Sequence, residues 1–442
     1  MAATENFMGI HPQEFVDYLK KQKIRRFYFV FHSGSNKVVP SHPELQAIAE
    51  FIETDQRDFM RHEGLFFQIS QHHDTLQGAF VHRTVRGQGA GGVRFWQYNT
   101  LEDYLRDGLR LSKGMTRKNA LAGLWWGGGK GVMAQNPDAD NRDPEVRAAI
   151  YRDYGALVTS IRGCYVTAED VGTNVSDMQQ VFSRTRFTTC IPPESGGSGN
   201  PSIPTARGVL CGMEAALKFI GEDSLRDKIV AVQGMGNVGG PLIQYLTEKK
   251  VKKIIACDID ANLVENWQKK LNHSILDARV VARSDHSILH EACDILAPCA
   301  TGAILNPEVI PQLKAKIICG AANNQLEDAE RDDRLLFELG IWYVPDFLTN
   351  RMGIVNCANE QYGYVKNDPH IEKHLSQEWQ HSIYQTTLKV FRASRASGEP
   401  PARVAMRLAD EMSLQPHPIF RHRGQQIIDS LVTEGWHEQE SF

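Results

Sequence analysis

Residues 228–250, KIVAVQGMGNVGGPLIQYLTEKK, are the stretch whose reading decides the fold. A short apolar run, Ile229 to Val232, reads as a buried strand and leads into Gly234-Met235-Gly236-Asn237-Val238-Gly239. A helical pattern follows at once. Glycines spaced in this way allow a tight turn and a close approach of backbone to a pyrophosphate, and the helix start offers free N–H groups and the positive end of its dipole. A second strand, KIIACD, ends on Asp258, nineteen residues after Gly239. A carboxylate there can accept both ribose hydroxyls of an adenosine and would repel a 2′-phosphate, which favours NAD over NADP. A lone GxGxxG is a weak signal; strand, glycines, helix, strand and acid in register make a dinucleotide site through Gly234, Gly236, Asn237, Val238, Gly239 and Asp258.

The texture extends downstream. KIVAVQG, KIIACD, ARVVA, CDILAP, AKIICG and IWYVPD recur with helical stretches between them, the pattern of a parallel sheet covered on both faces. Upstream, RFYFVF and LFFQIS read as strands, and Asp143-Pro144 opens a helix whose Val146, Ile150, Tyr154, Leu157 and Ile161 share one face. Residues 1–60 read as a polar, partly helical lead-in. The Gly/Ser/Pro-rich stretch 188–205, TTCIPPESGGSGNPSIPT, reads as a loop and a boundary. The expected organisation is an N-terminal α/β substrate and oligomerisation domain over 1–197, a Rossmann-type doubly wound parallel-sheet domain over 198–348, and C-terminal helices over 349–442 that return to the first domain.

At 442 residues the chain is too long for one ordinary core. Lys+Arg 49 against Asp+Glu 53 shows no basic excess, so nucleic acid is not an expected partner. The start MAATENFMGIHPQEF has no basic-then-apolar signal, and no apolar run is long enough to span a membrane. Eight scattered cysteines without a C-x-x-C pair suit buried thiols in a reducing cytoplasm. No metal site is expected: His370 and His374 sit one helical turn apart around Glu372 but lack a third ligand.

Chemistry enters at 114–130, GMTRKNALAGLWWGGGK, where Lys118 and Lys130 flank an apolar run ending in three glycines. Taken as spacing alone, two lysines and an Asp170 in another segment are unremarkable. Together with AGGVRFW (90–96), YVTAEDVGT (165–173), GSGNPSIPTARGV (197–209), VQGMGNVGG (232–240), APCATGAILN (297–306), CGAANNQL (319–326) and NRMGIVNCANEQYG (350–363), they resemble the glutamate/leucine/phenylalanine/valine dehydrogenase family, in wording closest to its leucine/phenylalanine branch. The resemblance implies NAD-dependent, reversible oxidative deamination of an L-amino acid to a 2-oxo acid and ammonia by a homo-oligomer. It implies that Lys118 binds the substrate carboxylate, Lys130 is the catalytic lysine and Asp170 carries the proton to and from the amino group. It also implies that Gly91 and Gly92 let the substrate approach, and that Thr205, Ala300, Asn323 or its neighbour Asn324, and Asn350 hold the cofactor. A lysine works as a base near neutral pH only if its ammonium form is disfavoured by burial or a nearby cation, and Lys118 is the cation on its own segment.

Ala90, Ala168, Ile354 and Cys357 map to the side-chain pocket of that family. Glutamate-specific members carry a lysine in place of Ala90 and a serine in place of Cys357. Their loss leaves a second carboxylate without partners, so an apolar substrate is expected, with branched-chain and aromatic side chains both open. Two departures stand out. Asn350-Arg351-Met352-Gly353 replaces Asn-Ala-Gly-Gly, so Arg351 could offer a cation to an acidic substrate, as in a glutamate-type enzyme, or point away; the same change leaves room for a catalytically silent NAD-binding homologue. Trp125-Trp126 stands where relatives have aliphatic residues, and is expected to pack the loop under Lys130.

Overall fold

The computed structural model describes residues 7–271 and 274–439. The chain divides into two compact units. The first takes in the chain up to Gly199 together with Cys357–Val365 and Asp410 onward; the second takes in Asn200–Asn356 and Lys366–Ala409.

The first unit is built on an eight-stranded mixed sheet: β1 (Arg26–His32), β2 (Lys37–Pro40), β3 (Gly64–Ile69), β4 (Leu76–Arg83), β5 (Gly89–Ala90), β6 (Val93–Trp96), β7 (Gly127–Ala134) and β8 (Tyr165–Val166). The order is β2-β1-β3-β4-β7-β5-β8, with β6 also paired to β7. Strands β1 to β4 run antiparallel to their neighbours and β7 antiparallel to β4, while β5 and β6 pair with β7, and β8 with β5, in parallel. The early segment is not a lead-in. Its helix Pro12–Lys21, closed by a capping box on His11, buries Phe15, Val16 and Leu19 against Phe27 and Phe29 of β1. Each such aromatic or aliphatic side chain contributes roughly 1.5–3 kcal/mol on burial. The polar residues that coloured the sequence reading occupy the opposite face of this amphipathic helix.

β7 carries GGGKGVMA, buried at every position. A Cβ on Gly128 would collide with Thr116 of the helix Leu101–Leu121, one on Gly131 would collide with the Tyr154 hydroxyl, and one on Gly129 would come 2.5 Å from the Tyr165 ring. These three glycines on either side of Lys130 are therefore a packing requirement: strand, helix and neighbouring tyrosines approach too closely for any side chain. The helix Pro144–Ser160 starts where Asp143 caps the N–H groups of Glu145 and Val146, with Ile150, Tyr154 and Leu157 buried and Ile161 just past its end.

The second unit carries a parallel sheet of β9 (Ile229–Gln233), β10 (Lys253–Asp258), β11 (Leu276–Val280), β12 (Ile295–Pro298), β13 (Ile317–Ile318) and β14 (Trp342–Tyr343). Its order β11-β10-β9-β12-β13-β14 puts the switch of strand order beside β9, the strand that feeds the glycine turn. The loop expected over 188–205 ends earlier than the composition implied. A helix runs Ser202–Phe219, because Pro204 in its first turn gives up an N–H that has no helical partner anyway. The unusual backbone angles lie before it, at Cys190, Gly196 and Gly199.

Candidate active site

In the first unit Lys130 is 3% exposed. By strand alternation its side chain leaves β7 on the face of Gly128, the face covered by the helix Leu101–Leu121. Lys118 is half-buried in the last turn of that same helix. The Lys130 ammonium lies 2.9 Å from Asp170 Oδ2, and the Asp170 side chain keeps 20% of its surface exposed. Asp170 sits in a tight turn: its N–H donates to the Thr173 hydroxyl, which in turn donates to the Asp170 carbonyl, each at 2.8 Å.

A further charge, Arg94, completes the arrangement. Its Nε donates to Asp170 Oδ2 at 3.2 Å, and its Nη1 donates to Asp107 Oδ2 at 2.8 Å. Asp107 also accepts from the Tyr98 hydroxyl at 2.7 Å and from Arg110 at 2.9 Å. Burial lowers the pKa of Lys130, Asp170 opposes that and Arg94 adds to it, and the net direction is down. For Asp170 burial alone would push upward, but Lys130 and Arg94 together outweigh it and hold the carboxyl down to about 2. The sequence reading named Lys118 as the neighbouring cation; Arg94 is a further one, which it missed. The signal was in the quoted AGGVRFW, two positions beyond Gly92.

Gly91 and Gly92 have a structural reason of their own. A Cβ on Gly91 would strike the Gly129 carbonyl, and one on Gly92 would come 2.5 Å from the Glu169 carbonyl and 2.8 Å from Asp170 Cβ. Glycine at these positions lets the chain that carries Asp170 lie against β6 and β7. Ala90, Ala168 and Cys357 are all buried in the first unit, with Cys357 Sγ 3.4 Å from Cys190 Sγ. Ile354 is buried in the second unit.

The glycine turn of the second unit separates packing from space. Gly234 has φ +91°, and a Cβ there would press on Ala300 Cβ at 2.8 Å. A Cβ on Gly239 would collide with the Gly234 carbonyl, whereas one on Gly236 would meet nothing within 4 Å. Gly236 and Asn237 are exposed, Val238 is half-buried, and the helix Gly239–Glu248 begins directly after. Open space over Gly236, at the start of a helix, fits a pyrophosphate. Asp258 closes the turn by accepting from the Met235 N–H at 2.7 Å. Asn350 donates to Asn323 Oδ1 at 2.7 Å, and its own Oδ1 is buried without a hydrogen-bond partner. Asn324 has φ +53° and its N–H donates to Asp346 at 2.6 Å. The Thr205 hydroxyl, buried in the first turn of its helix, donates to the Pro201 carbonyl at 2.9 Å.

The two departures resolve differently. Arg351 is wholly buried. It donates to the His381 carbonyl and, at 3.5 Å, to the Thr386 hydroxyl, and burial lowers its pKa to about 9. It packs among the helices of the second unit, as does Met352, so the reading of Arg351 as an acidic-substrate clamp has no support. Trp126 is buried as expected, but Trp125 is 41% exposed, with the Arg86 guanidinium 4.4 Å over its ring.

Two family models match this chain: the Glu/Leu/Phe/Val dehydrogenase dimerisation domain over residues 67–187 and the glutamate/leucine/phenylalanine/valine dehydrogenase domain over 196–412. The chain belongs to the glutamate/leucine/phenylalanine/valine dehydrogenase family. It is an amino acid dehydrogenase. The leucine dehydrogenase of Geobacillus stearothermophilus is 42% identical over 332 residues, 75% of this chain and 85% of its own. The valine dehydrogenase of Streptomyces coelicolor is 37% identical over 341 residues, 76% and 88% of the two chains. Among solved structures, the L-tryptophan dehydrogenase of Nostoc punctiforme matches with a TM-score of 0.65 at 33% identity, covering 80% of this dehydrogenase and 96% of that chain.

Proposed function

We propose that this dehydrogenase carries out the NAD-dependent, reversible oxidative deamination of an apolar L-amino acid to its 2-oxo acid and ammonia. The observation that carries the reading is the buried Lys130–Asp170 pair, an ammonium with a depressed pKa in contact with a part-exposed carboxylate. The leucine and valine dehydrogenase relatives and the uncharged residues at 90, 168, 354 and 357 support an apolar side chain.

Lys118 holds the substrate α-carboxylate as a point charge. The open backbone at Gly236, the helix start behind it, Asp258 and the unpartnered Asn350 Oδ1 are suited to hold NAD, with Thr205, Ala300, Asn323 and Asn324 beside it. Bound NAD supplies the acceptor for the hydride that leaves the substrate Cα. Lys130 then takes a proton from the water that attacks the iminium carbon, which is feasible because burial has already disfavoured its charged form. Asp170 moves protons to and from the amino nitrogen. A carboxylate held at about 2 is a poor base, so that work begins when Lys130 turns from Asp170 toward the water and leaves Arg94 as its cation. Self-association through the first unit and a cytoplasmic setting complete the proposal; among the described residues no helix is long and apolar enough to cross a membrane.

The test is an NAD-reduction screen with leucine, valine, phenylalanine, tryptophan and glutamate, repeated with Lys130→Ala. Turnover of an apolar amino acid that falls by roughly 10³-fold or more in the variant is expected. Preference for glutamate, or undiminished turnover in the variant, refutes the reading.

A further inference from the structure

Asp107 stands in the second turn of the helix Leu101–Leu121 and is 6% exposed. Arg94 Nη1 donates to both of its oxygens, to Oδ1 at 3.1 Å and to Oδ2 at 2.8 Å. The Tyr98 hydroxyl donates to Oδ2 at 2.7 Å, and Arg110 Nη2, one turn along the helix, donates to Oδ1 at 2.9 Å. Tyr98 and Arg110 therefore fix this carboxylate from two sides, and the carboxylate fixes one end of the Arg94 guanidinium.

The other end lies on Asp170. Among the described residues, Asp170 takes one hydrogen bond from Arg94, from Nε to Oδ2 at 3.2 Å. The nearest approach of Lys130 is to that same oxygen, at 2.9 Å. A guanidinium is a rigid planar fork, and its strongest pairing with a carboxylate uses two parallel N–H groups on two oxygens. Arg94 forms no such pair with Asp170, because turning a second N–H onto it would pull Nη1 away from Asp107. The restraint matters most when Lys130 turns from Asp170 toward water and Arg94 stays behind as its cation. A two-pronged grip at that moment would take up Oδ1 as well as Oδ2, and would hold the carboxylate against any proton exchange. Asp107 also balances charge: with it the buried cluster has two carboxylates for Arg94 and Lys130, and without it only one.

We propose that Asp107 is a positioning residue for the reaction: by holding Nη1 it keeps Arg94 to a single hydrogen bond on Asp170, so that Oδ1 of Asp170 stays available to the substrate amino group. The proposal rests on the deamination reading. The full chain is assayed with NAD and L-leucine, L-phenylalanine or L-tryptophan, whichever the parent turns over fastest. Asp107→Asn frees Arg94 and is expected to lower kcat roughly 10- to 100-fold, the weight of one extra charge-assisted hydrogen bond, with KM changed less than about threefold. An ammonium has no fork, so Asp107→Asn should slow the parent but change kcat of the Arg94→Lys chain less than about threefold. Substrate deuterated at Cα gives the reading that a structural role would not share. With proton exchange made slow, the isotope effect on kcat falls toward unity in Asp107→Asn, whereas a merely loosened site slows hydride transfer and raises it. Tyr98→Phe weakens the same grip by one hydrogen bond and is expected to lower kcat about three- to tenfold, again only where Arg94 is present. Should Asp107→Asn not fold, Tyr98→Phe with and without Arg94→Lys decides alone. An unchanged kcat in the folded variants, an equal loss in the Arg94→Lys chain, or a raised isotope effect overturns the proposal and leaves the deamination reading standing. A parent that oxidises none of the three amino acids overturns both.

Discussion

The two members of the Lys130–Asp170 pair are not equivalent, and replacing each in turn exposes the difference. In Lys130→Met a buried ammonium disappears while Asp170 keeps Arg94 Nε at 3.2 Å. The carboxylate stays paired, the desolvation of the ammonium is relieved, and a methionine fills a similar volume. Exchanging a buried charge for a packed apolar chain is often neutral or stabilising, so the expected change in stability is within about 1 kcal/mol of zero. In Asp170→Asn the opposite happens. Lys130 and Arg94 lose the carboxylate between them and face each other as like charges, one of them 3% exposed. Breaking a buried pair from one side costs about 3–5 kcal/mol. The amide still accepts one hydrogen bond and Lys130 can shed its proton, which reduces the expected loss to about 2 kcal/mol. At roughly 2–4 °C per kcal/mol for a domain of this size, Asp170→Asn should melt about 4–8 °C below the parent at pH 7, and Lys130→Met within about 3 °C of it. Both should have lost deaminase activity. Thermal melts by fluorescence, beside NAD-linked rates, provide the comparison. A Lys130→Met chain that melts as low as Asp170→Asn would show that Lys130 is held for structure, and the account of an ammonium maintained against its own desolvation would be wrong.

Other outcomes follow from the same geometry. Lys130 titrates below its ordinary 10.5, so between that depressed value and 10.5 the native chain binds fewer protons than the unfolded one and stability rises with pH; the parent should gain on Lys130→Met across that window, and log kcat/KM for deamination should level off before pH 10.5. An inflection at or above 10.5 would contradict the burial argument. Asp170, at about 2 against an ordinary 3.8, contributes stability above about pH 4 that is lost as pH falls through 2, which acid titration of parent and Asp170→Asn would reveal. In the second unit Gly236→Ala should leave stability within about 0.5 kcal/mol yet weaken NAD binding by about tenfold, while Gly239→Ala should unfold the turn; equal effects on stability would remove the distinction between space for a ligand and packing. Asp258→Ser should narrow the preference for NAD over NADP, measured as the ratio of kcat/KM values, and an unchanged ratio would remove Asp258 from cofactor choice.

Much of this dehydrogenase can be read from its sequence because local rules act there. The strand–glycine–helix–strand register around Gly234 depends on residues within about thirty positions. The same is true of the helix after Asp143, whose cap and apolar face are both local. The lead-in misread as polar shows the limit: an amphipathic helix hides its buried face when composition is averaged, and Phe15 and Leu19 find their core only against β1 and β3. The end of the 188–205 stretch was read as loop, yet a helix begins at Ser202 with Pro204 in its first turn. Trp125 looked like core and lies in contact with Arg86.

Sequence by itself determined the class of fold and the family and singled out Lys118, Lys130 and Asp170 as candidates, since each follows from residue type and order along the chain. Tertiary structure decided the charge state and the surroundings. Arg94 links Asp170 to Asp107, which Tyr98 also holds, across strand and helix, and Arg351 turns inward to the His381 carbonyl. A pKa and an ion pair depend on burial and on neighbours brought together in space, and neither property is carried by the order of residues alone.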